Sequence, residues 1–247
     1  MLLTSLDDLL EVPRPSLPIV IPTFNNESYL RMMVNQLPNN NLVIVDNNSS
    51  SESMRSYLEE LSSDFIVVCK EINDGPQDYH TKPFFWLWLP NHFFITDPDI
   101  GLNLDMPKNY AEIMRDLSLE QNSFKVGVAL DIFDLDSENY LGLVADAQGN
   151  TIFDYENRYW KTRIQTSVTD QPVWRAATDT TFSFVNKDNY RNEPHDYQFG
   201  VRIAGSFIAQ HYGWYKNPPI SIAEQQLYLE TANMASSTNN SVKNILG

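Results

Sequence analysis

Short β-branched runs that stop at polar loops, alternating with segments of helical periodicity, constrain this chain more than any other feature. Leu17 to Ile21 is apolar and ends at Pro22-Thr23, after which Leu30, Met33, Val34 and Leu37 recur on one helix face. Leu42 to Val45 reads as a second strand followed by Asp46-Asn47-Asn48. Ser49 with Glu52 then has the form of a capping box for a helix whose Met54, Leu58 and Leu61 share a face. Phe65 to Cys69 predicts a third strand. Phe93 to Thr96 predicts a fourth, stopping at Asp97-Pro98 because proline removes a ladder donor and restricts the residue before it. Pro107 suits a first helical turn, Tyr110, Ile113, Met114 and Leu117 line one face, and Val126 to Phe133 reads as a further strand. This alternation predicts an α/β fold: a mostly parallel central sheet with helices on both faces, and ligands beyond the carboxyl ends of its strands. The polar loops after Ile21, Val45 and Thr96 all fall on that edge.

A chain of 247 residues with 42% hydrophobic content can bury one substantial core, so a single domain is expected over 1–231. Past about Gly149 the pattern loses regularity and is rich in Trp, Tyr and Asn, as in a binding surface. Residues 232–247 turn to Ser and Asn and read as a polar tail. The net charge of -15, with no run of Lys or Arg, argues against nucleic acid as a partner. An acidic protein can still take a nucleoside diphosphate when a divalent cation screens the phosphates, so the charge itself favours a metal. Cys69 is the only cysteine, which leaves no intrachain disulfide and fits a reducing, cytoplasmic setting. Met1 to Val12 carries Asp7, Asp8 and Glu11 where a signal peptide would be basic, and no stretch approaches the length of a transmembrane span. Phe84 to Leu89, with Trp86 and Trp88, reads as a buried aromatic layer, with peripheral membrane contact as the alternative.

Two carboxylates one residue apart at a rigid strand end can converge on one hard cation and leave coordination positions for phosphate oxygens and water. Asp97 and Asp99 meet that description, although Asp-Pro-Asp is also a common polar turn. Pro22-Thr23 likewise has a reading as a plain strand exit, and Asp46-Asn47-Asn48 as a turn.

Taken in order, three segments resemble the signatures of the glycosyltransferase A fold, closest to family 2 enzymes. They are Ile19-Val20-Ile21-Pro22-Thr23-Phe24-Asn25-Asn26, Val43-Ile44-Val45-Asp46-Asn47-Asn48-Ser49-Ser50 and Thr96-Asp97-Pro98-Asp99. The resemblance implies a single Rossmann-like glycosyltransferase A domain, with a donor half over about 1–100 and an acceptor half over about 101–231. It implies a metal-dependent transferase that moves a sugar from a nucleotide sugar, a UDP-sugar being the expected donor, to the hydroxyl of a glycan, polysaccharide or lipid-linked acceptor, with inversion. By the same resemblance Pro22, Thr23, Asn25 and Asp46 would contact the base side of the donor. Asp97 would touch ribose or reach the metal through water, and Asp99 would ligate Mn²⁺ or Mg²⁺ directly. Asn73-Asp74-Gly75 fits the family's Asn-x-Gly, which brings Gly75 into the nucleotide site; the family's later Asn has no counterpart here.

His211-Tyr212-Gly213-Trp214-Tyr215 resembles the His-x-x-Trp-Tyr segment of some enzymes of this fold, where the histidine completes the metal shell. An imidazole ligand favours Mn²⁺ over Mg²⁺; the other reading of His211 is a histidine buried among aromatics. Asp179, an acid among small hydroxyl residues in Arg175 to Phe182, is the candidate base for an inverting transfer, in which a carboxylate takes the acceptor proton. Its competing reading is a backbone cap, and Asp170, Glu193, His195 and Asp196 are rival acids or bases. Trp160, Trp174, Trp214 and Tyr215 offer flat faces for a sugar or ordinary packing, and Arg158, Lys161, Arg163 and Arg202 could approach a diphosphate but read more simply as surface charge. Asp131, Asp134, Asp136 and Glu138 lack the glycine and closing Glu of a calcium loop. Two other functions remain open on the sequence. A sugar nucleotidyltransferase would need a Gly-rich basic loop that this N-terminus lacks, and a non-catalytic carbohydrate-binding domain would leave the three ordered loops unexplained.

Overall fold

The computed structural model describes residues 1–37, 41–73, 75, 82–133, 149–179, 181–191 and 200–231. The expected tail at 232–247, the acids Asp134, Asp136 and Glu138, the cluster Glu193, His195 and Asp196, and Asp74 lie outside them. The chain forms two compact units, Met1–Asp99 with the segment from Pro219, and Ile100–Pro218.

The first unit is built on five parallel strands: β1 (Leu2–Leu3), β2 (Ile19–Thr23), β3 (Leu42–Asp46), β4 (Ile66–Cys69) and β5 (His92–Ile95), in the spatial order β1-β4-β3-β2-β5. β2 and β3 are buried along their whole length, which explains their unbroken apolar runs: a parallel strand covered on both faces has no solvent side to alternate with. Helix α1 (Glu27–Gln36) links β2 to β3, and α2 (Glu52–Leu61) links β3 to β4. Their periodic residues Leu30 and Met33, and Met54, Leu58 and Leu61, face inward as the spacing requires. From β4 the chain passes through α3 (Pro83–Trp88) back to β5 on the far side of β2. Helix α3 packs against the 3-10 turn Asp7–Glu11, and Trp88 Nε1 donates to the Val12 carbonyl at 3.1 Å.

Three local expectations change. The cap of α2 is Ser51, whose Oγ accepts the Met54 amide at 3.4 Å; Ser49 is held elsewhere because its amide and hydroxyl both go to Asp46. Phe84 to Leu89 is not a buried layer throughout. It is helical, so Phe85, Trp88 and Leu89 turn inward while Phe84 and Leu87 are 53% and 64% exposed. The segment expected as a strand over Val126 to Phe133 pairs as a strand only over Lys125–Val128.

In the second unit, β7 (Lys125–Val128) lies between β10 (Ser183–Asn186), antiparallel, and β11 (Val201–Ile203), parallel. β9 (Val173–Arg175) and β8 (Arg163–Ile164) extend the sheet antiparallel beyond β11. Past Val128 the chain leaves the ladder but stays tied, with the Ala129 amide donating to Ile203 and the Asp131 amide to Ala209. Helix α4 (Tyr110–Glu120) buries Met114 and Leu117; Pro107 lies before it and accepts the Tyr110 amide at 2.9 Å. Helix α5 (Ile152–Asn157) opens with a reciprocal capping box between Thr151 and Asp154. A two-strand ladder pairs β6 (Ile100–Gly101) with β12 (Gln210–His211). Helix α6 (Ile222–Thr231) belongs to the first unit, where Glu224 accepts both the amide and the hydroxyl of Ser28. No helix among the described residues is long and apolar enough to cross a membrane.

Ile44 is fully buried in the centre of β3. Ile44→Ala is expected to lower the unfolding free energy by about 2–5 kcal/mol, through lost transfer energy and a residual cavity, with an unchanged urea m-value.

Candidate metal and nucleotide site

The order β1-β4-β3-β2-β5 makes the carboxyl end between β2 and β5 the point at which the chain reverses its direction of winding, where ligands of open α/β sheets lie. The pairing of β2 with β5 covers only Ile19↔Phe94 and Val20↔Ile95, and its last bond runs from the Thr96 amide to Val20 at 3.0 Å. Even-numbered residues of β2 face β5 with their polar groups, so the next rung needs an N–H at position 22, and Pro22 has none. Pairing with β3 continues to Thr23↔Asp46. The sheet is thereby split at its edge, with Thr23 on one lip and Asp97 on the other.

The loops around this crevice are held by side chains. Asn25 takes a left-handed backbone (φ 47°), which asparagine tolerates, and is 1% exposed. Its Oδ1 accepts the amides of Ser50 and Ser51 at 2.9 and 3.0 Å, and its Nδ2 donates to Ser50 Oγ and to Thr231 Oγ1. Asn26 Oδ1 accepts the Thr23 hydroxyl at 2.5 Å. Asp46 is 2% exposed and receives the Ser49 amide and hydroxyl. Burial pushes its carboxyl above the ordinary value of 3.8, opposed by the two Ser49 bonds and by the Lys70 ammonium. Lys70, also buried, donates to Asn47 Oδ1 at 2.7 Å. Gly75 has φ 96°, a conformation that favours glycine, and its amide reaches Asn73 Oδ1 at 3.3 Å.

Asp97 and Asp99 follow β5 and are both half-buried. Asp99 is one peptide bond from Ile100, and Ile100 is the β-partner of His211, so the ladder register itself carries the imidazole toward the acids. One carboxylate oxygen from each aspartate and one ring nitrogen of His211 lie within 4.8 Å of one another. The imidazole is stacked on Trp214, with ring centroids 4.6 Å apart and planes at 2°, which fixes its orientation. Tyr212 lies against Gly101, where any Cβ would overlap its ring. Two hard oxygen donors and one nitrogen suit Mn²⁺ and, less closely, Mg²⁺. Tyr29 on α1 is buried near Asp99, Glu224 and Tyr228; burial first, then those negative groups, raises its hydroxyl far above its ordinary range, so it stays a neutral donor.

No protein-family model and no curated protein matches the sequence. Among solved structures, GalNAc-T7 with UDP, GalNAc and Mn²⁺ aligns at a TM-score of 0.51 and 14% identity, over 81% of this chain and 44% of that one. The fold is that of a glycosyltransferase A domain. Two structures of S. aureus TarS align at 11% identity with TM-scores of 0.42 and 0.45, over 94% of this chain and 80% and 43% of theirs. The present chain thus spans less than half of the GalNAc-T7 chain, and identity this low carries the backbone arrangement alone.

Within the glycosyltransferase A fold, the other predicted residues fall as follows. Asp179 is exposed, in the loop between β9 and β10. Trp214 and Tyr215 are 6% and 7% exposed and pack inward, while Trp160 and Trp174 meet edge to face with centroids 4.7 Å apart. Arg202 is not a surface charge: it is 5% exposed and paired with the equally buried Glu156 at 2.6 Å. Sequence reasoning passed over Lys125, which is 1% exposed inside β7. The signal was present, since a lysine heading the apolar run Lys125 to Leu130 has to find polar partners if it is buried.

The Asp46 shift sets a pH signature. A folded-state carboxyl titrating above 3.8 binds its proton more tightly folded than unfolded, so its contribution to stability falls as pH rises from 3.8 through the folded value. The stability difference between Asp46→Asn and the native chain, from urea unfolding at a series of pH values, should shift toward the variant over that window and then level. A flat difference would contradict the burial effect.

Proposed function

We propose that this chain is a nucleotide-sugar-dependent glycosyltransferase that transfers a sugar from a nucleoside diphosphate donor, a UDP-sugar first among candidates, to a hydroxyl acceptor with inversion. The observation that carries this reading is the convergence of Asp97, Asp99 and His211 beside the β2–β5 crevice of a glycosyltransferase A fold. The GalNAc-T7 structure, which holds UDP, GalNAc and Mn²⁺, supports it by its fold. In this reading residues 1–100 form the donor half and residues 101–231 the acceptor half, and the acceptor is a glycan, polysaccharide or lipid-linked hydroxyl. The single cysteine supports a reducing, cytoplasmic setting.

Asp99 and His211 would hold Mn²⁺, or Mg²⁺, with Asp97 shared between the ion and the donor ribose. The bound cation would supply positive charge at the diphosphate leaving group. Pro22 leaves the lip of β2 open toward the base, Thr23 and Asp46 line it, and Asn25 braces the loop that carries it. Gly75 allows close backbone approach, because a glycine at φ 96° offers no side chain to the donor. Asp179 takes the acceptor proton. An exposed carboxylate suits that role, since it can meet a hydroxyl arriving from solvent.

Two measurements test these assignments. Calorimetric titration with UDP and Mn²⁺ should show metal-dependent binding that disappears in Asp99→Ala while circular dichroism stays unchanged; undiminished binding in the variant would remove Asp99 from the metal site. Asp179→Asn should keep UDP binding and lose transfer by about 10²–10⁴-fold, the usual contribution of a general base. A thermal-shift series with UDP, GDP, CDP and dTDP, each with and without Mn²⁺, identifies the base as the diphosphate that stabilises only with metal.

A further inference from the structure

The loop that presents Asp179 is gripped by its own backbone. Arg202 Nε donates to the Ala177 carbonyl at 2.8 Å, and Lys125 Nζ donates to the carbonyls of Asp179 at 2.9 Å and Thr178 at 3.4 Å. Three successive carbonyls are thus held by two cations, and both cations are buried, Lys125 at 1% and Arg202 at 5% exposure. Arg202 is itself fixed: its Nη1 meets Glu156 Oε2 at 2.6 Å, and its guanidinium lies 4.6 Å from the Tyr159 ring centroid. Thr178 is fully buried in a notch formed by two glycines. A Cβ at Gly127 would overlap Thr178 Cγ2, and one at Gly200 would overlap Thr178 Oγ1 and come within 2.6 Å of the Ala176 carbonyl. The Ala176 amide closes the arrangement by donating to Gly200 at 3.1 Å.

An ordinary turn has its carbonyls satisfied by water at no cost in buried charge. Here a lysine and an arginine are withdrawn from solvent: the Lys125 ammonium and Arg202 Nε are directed at main-chain oxygens, while Arg202 Nη1 pairs with Glu156, more buried charge than satisfying three carbonyls of a surface turn requires. What the arrangement secures is the orientation of the exposed Asp179 side chain.

We infer that Lys125 and Arg202 are positioning residues that clamp the backbone of residues 177–179 and so hold the Asp179 carboxylate in the direction from which it takes the acceptor proton. This rests on the reading of Asp179 as the base. The notch of Gly127 and Gly200 is the steric half of the same device, because it sets how deeply Thr178 seats and therefore where the next residue emerges.

The test uses the full chain, with Lys125→Met, Gly127→Ala and the double variant Gly127→Ala/Thr178→Ser; Arg202 is left intact because its removal strands the Glu156 charge. Amide hydrogen exchange over residues 176–179 should rise by about tenfold or more in Lys125→Met, as expected when charge-assisted bonds to the segment are lost. UDP affinity with Mn²⁺ should be unchanged, while the rate of UDP release from a UDP-GalNAc, UDP-GlcNAc and UDP-glucose panel, with water as acceptor, falls on the order of 10²-fold. Gly127→Ala should do the same, and the double variant should recover both readouts because serine lacks the overlapping Cγ2. Unaltered exchange over 176–179 in Lys125→Met overturns the clamp whatever the activity. Faster exchange with full turnover overturns the positioning role. If Lys125→Met does not fold, the glycine variant and its rescue decide the matter. Asp179→Asn, run alongside, separates the two ideas: full turnover there removes the base assignment, whereas loss there with an active Lys125→Met removes only the clamp.

Discussion

The parallel ladder between β2 and its two neighbours is the constraint on which the first unit depends. On the β3 side it runs the full length of the strand, and on the β5 side it stops after Val20, with no N–H at Pro22 to continue it. A sheet that is paired on one side and open on the other has a crevice at its edge without any loop having to make one. Thr23, Asp46 and Asp97 then reach that crevice because each sits where a strand ends, and strand ends are the most rigid points from which a polar side chain can be offered.

Around the opening, polar side chains do what a hydrophobic core does elsewhere. Asn25 alone ties the β2–α1 loop to the β3–α2 loop and to the end of α6, and Asp46 gathers the backbone of Ser49. These buried groups are satisfied by one another, which is the condition for burying them at all. Asn25 is therefore a brace for the loops around the crevice. The second unit repeats the device with charge: the buried cations Lys125 and Arg202 donate to main-chain carbonyls, and Arg202 also pairs with the Glu156 carboxylate.

Strands β2 to β5 and helices α1, α2 and α4 were legible because their apolar residues recur at a period that only one geometry satisfies, and the strand ends carried their own stop signals. Ser49 and Phe84 to Leu89 misled for a physical reason. A hydroxyl near a helix start can accept from a helix amide or be engaged elsewhere, and here Ser49 donates to Asp46 and accepts the Asn25 amide, leaving the α2 amide to Ser51. A six-residue apolar run has no period long enough to tell a layer from a short helix with one wet face.

By itself, then, the sequence determined the alternating α/β order, the polar strand ends and the Asp97-Pro98-Asp99 pair, because these depend on contacts within a few residues. The resemblance of its segment put His211 forward as a ligand beside the reading as a buried histidine, but its nearness to those aspartates comes from the pairing of β12 with Ile100, more than a hundred positions earlier in the chain. Tertiary structure alone also decided that Arg202 is buried and that Lys125 holds the Asp179 loop. A charge in a sequence carries no mark of its surroundings, and only the packing of distant strands determines whether water or a carbonyl will meet it.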